Sequence, residues 1–162
     1  MIVVSDTSPL TNLAAIKQFN LLSRLYEEVH ISTGVWDELN EGGSRWPGSE
    51  EVASAGWILR HDVQNEALVI SLMRDLDRGE AESIALSLEL KADLILLDEK
   101  EGRRAAQRLG LRTLGVVGLL LEAKALSEIE HIRPHSDALR QAAGFYLSES
   151  LYQATLDAAG EI

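Results

Sequence analysis

Short apolar runs alternate with stretches of helical periodicity along this chain. Residues 2–5 are Ile-Val-Val-Ser, and after Asp6 and two hydroxyl residues come apolar positions at Leu13, Ile16, Phe19, Leu22 and Leu25, predicting a strand over 2–5 and a helix over 13–25. A second strand is predicted over 29–32, with Thr33 able to cap a helix over 35–40 that Glu41-Gly-Gly-Ser closes. Residues 57–60 read as a third strand, and 65–76 and 79–90 as two helices separated by an Asp77-Arg-Gly turn. The segment 93–98 is apolar between its two Asp residues, a pattern suited to a parallel strand covered on both faces. A helix over 102–109 ends at Gly110, a last strand is expected over 113–117, and helices follow. The final two are read over 136–143 and 148–159, each closed by a glycine.

This order predicts an α/β fold with a mostly parallel central sheet. No repeat, low-complexity tract or linker divides the chain, so one domain over residues 1–162 is expected, with C-terminal helices at about 136–160. In the tail, Leu151, Tyr152, Ala154 and Leu156 are available to cover the core or to form an interface.

Two apolar strands end alike, at Asp6 and at Asp98. Ligands of open parallel sheets sit outside the carboxyl ends of the strands, so neighbouring strands would bring these carboxylates to one cleft; alone, each Asp equally suits a turn or a helix cap. Glu38 lies near the apolar face of its helix formed by Val35, Trp36 and Leu39. Glu80 and Glu82 flank opposite sides of the stripe Ala81, Ile84, Ala85 and Leu88, so they cannot both enter one cleft, and helix geometry does not choose between them.

Composition removes several alternatives. With no cysteine, thiolate metal sites and a Cys nucleophile are excluded, and a formal charge of −11 opposes a general electrostatic grip on nucleic acid. The 46% apolar content comes without an apolar run long enough to span a membrane, and the start lacks the phases of a signal peptide, so a cytoplasmic protein is expected. Phosphate-binding glycine loops, the dinucleotide fingerprint and the Gly-x-Ser-x-Gly elbow are absent, and Ser8 stands where an aspartyl-nucleophile phosphatase would want a second Asp. His131 and His135 have metal-ligand spacing, but Pro134 and the lack of partners make them surface residues in this reading.

The phrases "SDTSPL", "GEAESIALSLEL" and "ADLILLDEKEGRRAAQRLGL" resemble the PIN-domain superfamily of metal-dependent ribonucleases, and within it the PIN-like DUF3368 group described as predicted nucleic-acid-binding proteins. The similarity runs from the first strand to the tail over 148–161. It implies a three-layer α/β/α domain and an acid site in which Asp6, Glu38, Glu80 and Asp98 are the catalytic and metal-binding residues, Asp6 and Asp98 as primary ligands and Glu38 and Glu80 binding directly or through water, with Glu82 as the fallback for the third acid. The sequence departs from the family pattern in using Glu as the third acid and in carrying Leu96 where many PIN nucleases have a small hydroxyl residue.

Carboxylates without Cys or His suit hard Mg²⁺ or Mn²⁺ and a hydrolytic attack on a phosphodiester. Lys100, Arg104 and Arg108 share one face of their helix at i, i+4 spacing and are candidate phosphate contacts, and Ser8 is a candidate for bonding a carboxylate or the substrate. The resemblance implies an endoribonuclease with RNA as its substrate, a homodimer, and the toxin of a pair with a small antitoxin. The competing expectation is a catalytically inactive nucleic-acid-binding or regulatory module that keeps the fold.

Overall fold

A computed structural model describes residues 1–41 and 47–161. The Gly42-Gly43-Ser44 part of the expected turn therefore lies outside the described residues, as does Ile162. In chain order the elements are β1 (Val3–Ser5), α1 (Thr7–Ala15), α2 (Leu21–Tyr26), β2 (Val29–Ser32), α3 (Thr33–Asn40), α4 (Ser49–Ser54) and β3 (Ile58–His61). They continue as α5 (Glu66–Leu72), α6 (Arg78–Leu90), β4 (Leu94–Leu96), α7 (Lys100–Arg108), β5 (Thr113–Leu114), α8 (Val116–Ala125), α9 (Arg133–Gln141) and α10 (Glu149–Ala158).

The strands form one parallel sheet in the order β3-β2-β1-β4-β5. Successive side chains of a strand point to opposite faces, and β4 uses both. Leu94 and Leu96 enter the larger core with Leu10, Leu13, Val35, Leu119 and Leu156, while Ile95 and the following Leu97 enter a second core with Leu76, Ile84 and Ala106. Helices therefore cover both sides, giving a three-layer α/β/α architecture. This is why the strand is apolar at every position rather than alternating.

Two expected elements differ. The predicted helix over 13–25 is two helices: α1 already begins at Thr7, and the chain turns after Ala15 with Lys17 in the left-handed region at φ 60°. The N–H groups of Lys17 and Gln18 donate back to Ala14 and Leu13 at 3.0 and 2.8 Å. Ile16, Phe19 and Leu22 are nevertheless all buried, so the periodicity reports the inward face correctly and conceals the bend. The strand expected over 113–117 stops at Leu114, because Gly115 is extended and Val116 opens α8, placing Val116, Leu119, Leu120 and Ala123 on one buried stripe. In the tail, Tyr152 and Leu156 cover the core, whereas Leu151 is exposed.

The carboxylate of Glu161 ties the chain to α8 and α9. Its Oε2 accepts from Lys124 Nζ and the Ile132 N–H, both at 2.7 Å, and its Oε1 accepts from the Arg133 N–H at 3.1 Å, so it satisfies donors at the start of α9. Burial alone would raise this carboxyl, but the Ile132 N–H, Lys124 and the Arg133 N–H outweigh it and hold it at about 2. A depressed folded-state pKa contributes stability above the unfolded value and loses it as pH falls through the folded one. Glu161→Gln is therefore expected to cost about 1–3 kcal/mol at pH 6. That difference should shrink below about pH 4.5 and vanish near pH 2. Denaturant titrations of both proteins across this range test it, and a gap that persists unchanged at pH 2 would contradict it.

Candidate metal centre

From β1 the chain runs to β2 and β3 on one side, then returns to β4 on the other, so the order reverses between β1 and β4. Such a reversal of strand order is the position at which open α/β sheets bind ligands. Asp6 follows β1 directly, with its N–H donating to the Leu96 carbonyl at 3.0 Å, and Asp98 lies two residues beyond β4. Asp6 occupies the N-cap position of α1 but makes no side-chain capping bond. It is 3% exposed, and its Oδ1 has no hydrogen-bond partner among the described residues. A buried carboxylate oxygen left unpaired is costly unless something else satisfies it.

Two acids from other elements face it. Ser32 caps α3 through the Val35 N–H at 3.1 Å, and one turn on Glu38 accepts from the Thr7 hydroxyl with Oε2 and from the Gly79 N–H with Oε1 at 2.8 Å. Asp77 caps α6 by accepting from the Glu80 N–H at 2.8 Å. One carboxylate oxygen from each of Asp6, Glu38 and Asp77 lies within 4.8 Å of the others. The sequence reading missed Asp77 by treating it as turn punctuation. Its signal was the Asp-x-x-Glu spacing of a capping box, which commits this Asp to a helix start.

Glu80 completes that capping box, with Oε1 accepting from the Asp77 N–H at 3.3 Å. It is buried, and burial, a side-chain bond with Asp77 and the Asp77 charge push its carboxyl up to about 7. Burial likewise pushes Asp6 well above the usual range, with the adjacent Thr7 N–H opposing and Asp77, Glu38 and Glu80 reinforcing. Glu38 is raised as well, first by burial. Glu82 faces elsewhere. It accepts from the Gly34 N–H and from Arg78 Nε, both at 2.8 Å, and Arg78 also pairs with Asp37.

Asp98 stands outside the three-acid cluster. Its Oδ1 accepts from the Val116 N–H at 2.7 Å and its Oδ2 from the Asn12 amide at 3.1 Å. Burial raises its carboxyl, while Val116, Asn12 and Arg103 oppose the rise.

Glycines make room for these acids. A Cβ built on Gly79 would lie 2.5 Å from a Glu38 oxygen, one on Gly102 2.7 Å from a Glu80 oxygen, and one on Gly34 2.9 Å from Glu82. At Gly115 the corresponding approach, to Asp98, is 3.1 Å.

The other candidate residues lie apart from the three-acid cluster. The Ser8 carbonyl accepts from the Thr11 hydroxyl at 3.1 Å, and the Ser8 hydroxyl bonds no acid among the described residues. Gly102 and Ala106 form the buried face of α7, and at ~100° per residue Lys100, Arg104 and Arg108 lie on the opposite side. All three are exposed, and Arg104 pairs with Glu101. Leu96 is buried in the larger core. His131 is exposed and lies 4.0 Å from Glu161, and His131 and His135 join no metal-ligating group among the described residues.

Three converging carboxylates, one with a buried oxygen unpartnered among the described residues, fit a hard divalent ion bound through oxygen. Among the described residues no helix is long and apolar enough to cross a membrane. A search of proteins of curated function finds no match to the chain. The family model DUF3368, described as PIN domain, matches residues 2–161, and the chain belongs to that PIN-domain family.

Proposed function

We propose that this protein is a Mg²⁺- or Mn²⁺-dependent endoribonuclease whose ion is held by Asp6, Glu38 and Asp77, with Glu80 and Asp98 forming the adjoining walls of the crevice. The observation that carries the reading is buried Asp6, whose Oδ1 has no hydrogen-bond partner among the described residues, in a cluster with the carboxylates of Glu38 and Asp77 at the switch point. When bound, a divalent ion supplies Lewis acidity toward a phosphate oxygen and a water of lowered pKa. The chain's part is orientation: Thr7 and the Gly79 N–H fix Glu38, the Asp77–Glu80 capping box fixes Asp77, and Asn12 with the Val116 N–H fixes Asp98. Membership in a PIN-domain family supports RNA as the substrate. The resemblance extends this reading to a cytoplasmic homodimer acting as the toxin of a toxin–antitoxin pair.

Incubation with a panel of structured and single-stranded RNAs in Mn²⁺, Mg²⁺ or EDTA is the test. Metal-dependent cutting that EDTA stops is expected. Clean protein that neither cuts RNA nor binds either ion by calorimetry overturns the reading in favour of the inactive binding module.

A further inference from the structure

The acid centre poses an electrostatic problem, because its substrate is a polyanion and the chain carries a formal charge of −11. Three cations on α7 have their backs to the crevice. Arg78 is near, but its guanidinium is matched by Asp37 and Glu82 at 2.9 and 2.8 Å.

Arg103 is placed differently. It follows Gly102, the residue of α7 that meets the Glu80 carboxylate. Its Nη1 donates to the backbone carbonyl of Asp98. A Cβ built on Gly115 would find Asp98 Oδ1 at 3.1 Å and Arg103 Nη1 at 3.5 Å, so carboxylate and guanidinium lie side by side against that glycine. Arg103 is half-buried and forms no ion pair among the described residues. The backbone carbonyl anchors the side chain, the neighbouring Asp98 carboxylate offsets part of its charge without a direct ion pair, and the planar guanidinium keeps further N–H donors for a second acceptor.

We propose that Arg103 is the residue that grips a substrate phosphate at this centre, through the donors its Asp98 contact does not use. The assignment rests on the nuclease reading for the identity of the anion, a nucleic-acid phosphate. It replaces Lys100, Arg104 and Arg108 in that role, although all four follow Asp98 in sequence.

The test is binding of a short phosphorothioate RNA, which resists hydrolysis, by the full chain with Mg²⁺ across a salt series. Cleavage of ordinary RNA by the wild type is measured in parallel. Arg103→Gln should weaken binding about tenfold or more and reduce the slope of log affinity against log salt by about one, whereas Arg104→Gln leaves both nearly unchanged. Arg103→Lys should restore the slope but only part of the affinity, because a point charge replaces a planar fork. If the Gln variant does not fold, a Lys variant with wild-type affinity overturns the proposal. So does equal weakening by the Arg103 and Arg104 substitutions, which would mark a diffuse field rather than a contact. Cleavage together with an unaltered Arg103→Gln salt slope leaves the nuclease standing and removes this contact. Arg103-dependent binding without cleavage does the reverse, no binding by a wild type that cleaves removes this contact alone, and a wild type that neither binds nor cleaves removes both.

Discussion

Asp6→Asn is expected to abolish divalent-ion binding and RNA cleavage while making the metal-free protein more stable. In the absence of an ion, Asp6 is a buried acid whose Oδ1 has no partner among the described residues and whose neighbours Asp77, Glu38 and Glu80 all raise its pKa. An amide of the same shape removes one member of this repulsive set and supplies N–H donors to the carboxylates that remain. The gain should be about 1–3 kcal/mol in chelator, or roughly 2–10 °C in Tm for a chain of this size. With the ion the sign reverses, since removing one anionic ligand should weaken Mn²⁺ binding by about 100-fold or more. Thermal melts in EDTA and in Mn²⁺, with calorimetry, separate the two effects. Lower stability in EDTA, or Mn²⁺ affinity equal to the wild type, would sink the assignment of Asp6.

Proton linkage adds a second signature to the same experiment. Glu80 is raised from 4.5 to about 7, and Asp6 and Glu38 are raised too. A raised folded-state pKa contributes stability that is complete below the unfolded value and is lost as pH rises through the folded one. The metal-free protein should therefore lose stability as pH climbs from about 4.5 to about 7, and Asp6→Asn should flatten that decline. Protons and ion compete for the same oxygens, so the stabilisation that Mn²⁺ gives the wild type should grow over the same interval.

Much of the framework could be read from local pattern. The apolar runs ending at Asp6 and Asp98 are neighbouring parallel strands, with Ser5 opposite Leu96, and α6 appears close to its predicted bounds because its capping residues sit at its start. What escaped the sequence depended on long-range contact. Nothing about Lys17, which is not a glycine, announces a left-handed turn, and Val116 and Val117 look like strand residues until Asp98 binds the N–H that opens α8. Asp98 also owes its setting to Asn12, 86 positions away. The arithmetic of α7 showed that Lys100, Arg104 and Arg108 share a face, but only the packing of Gly102 against Glu80 and Leu97 shows which face turns inward. Asp77 was hidden for a different reason: in the Asp77-Arg-Gly stretch between two helices it reads as a turn residue, and that local role gave no cause to look further.

Gly79→Ala should separate the acid centre from the fold. Gly79 lies in the first turn of α6, where Ala is the better helix former by about 1 kcal/mol, so propensity alone predicts a more stable protein. The added Cβ would stand 2.5 and 2.6 Å from the two Glu38 oxygens and 2.8 Å from their carbon. Those atoms end a flexible side chain, so the carboxylate swings away and the backbone stays. The move strips Glu38 of its Gly79 N–H bond and draws it off Asp6 and Asp77. Stability should change by no more than about 1 kcal/mol, because the gain in propensity offsets the lost hydrogen bond. Mn²⁺ affinity should fall by roughly 10–100-fold, the scale of misplacing a ligand's support. Gly34→Ala is the matched control: it also lies in the first turn of a helix and would collide with a glutamate, but that residue is Glu82, outside the three-acid cluster. Calorimetric titration of both variants decides the matter. Equal losses of Mn²⁺ binding would mean that any disturbance near α6 suffices, whereas a loss confined to Gly79→Ala locates the ion at the carboxylate of Glu38.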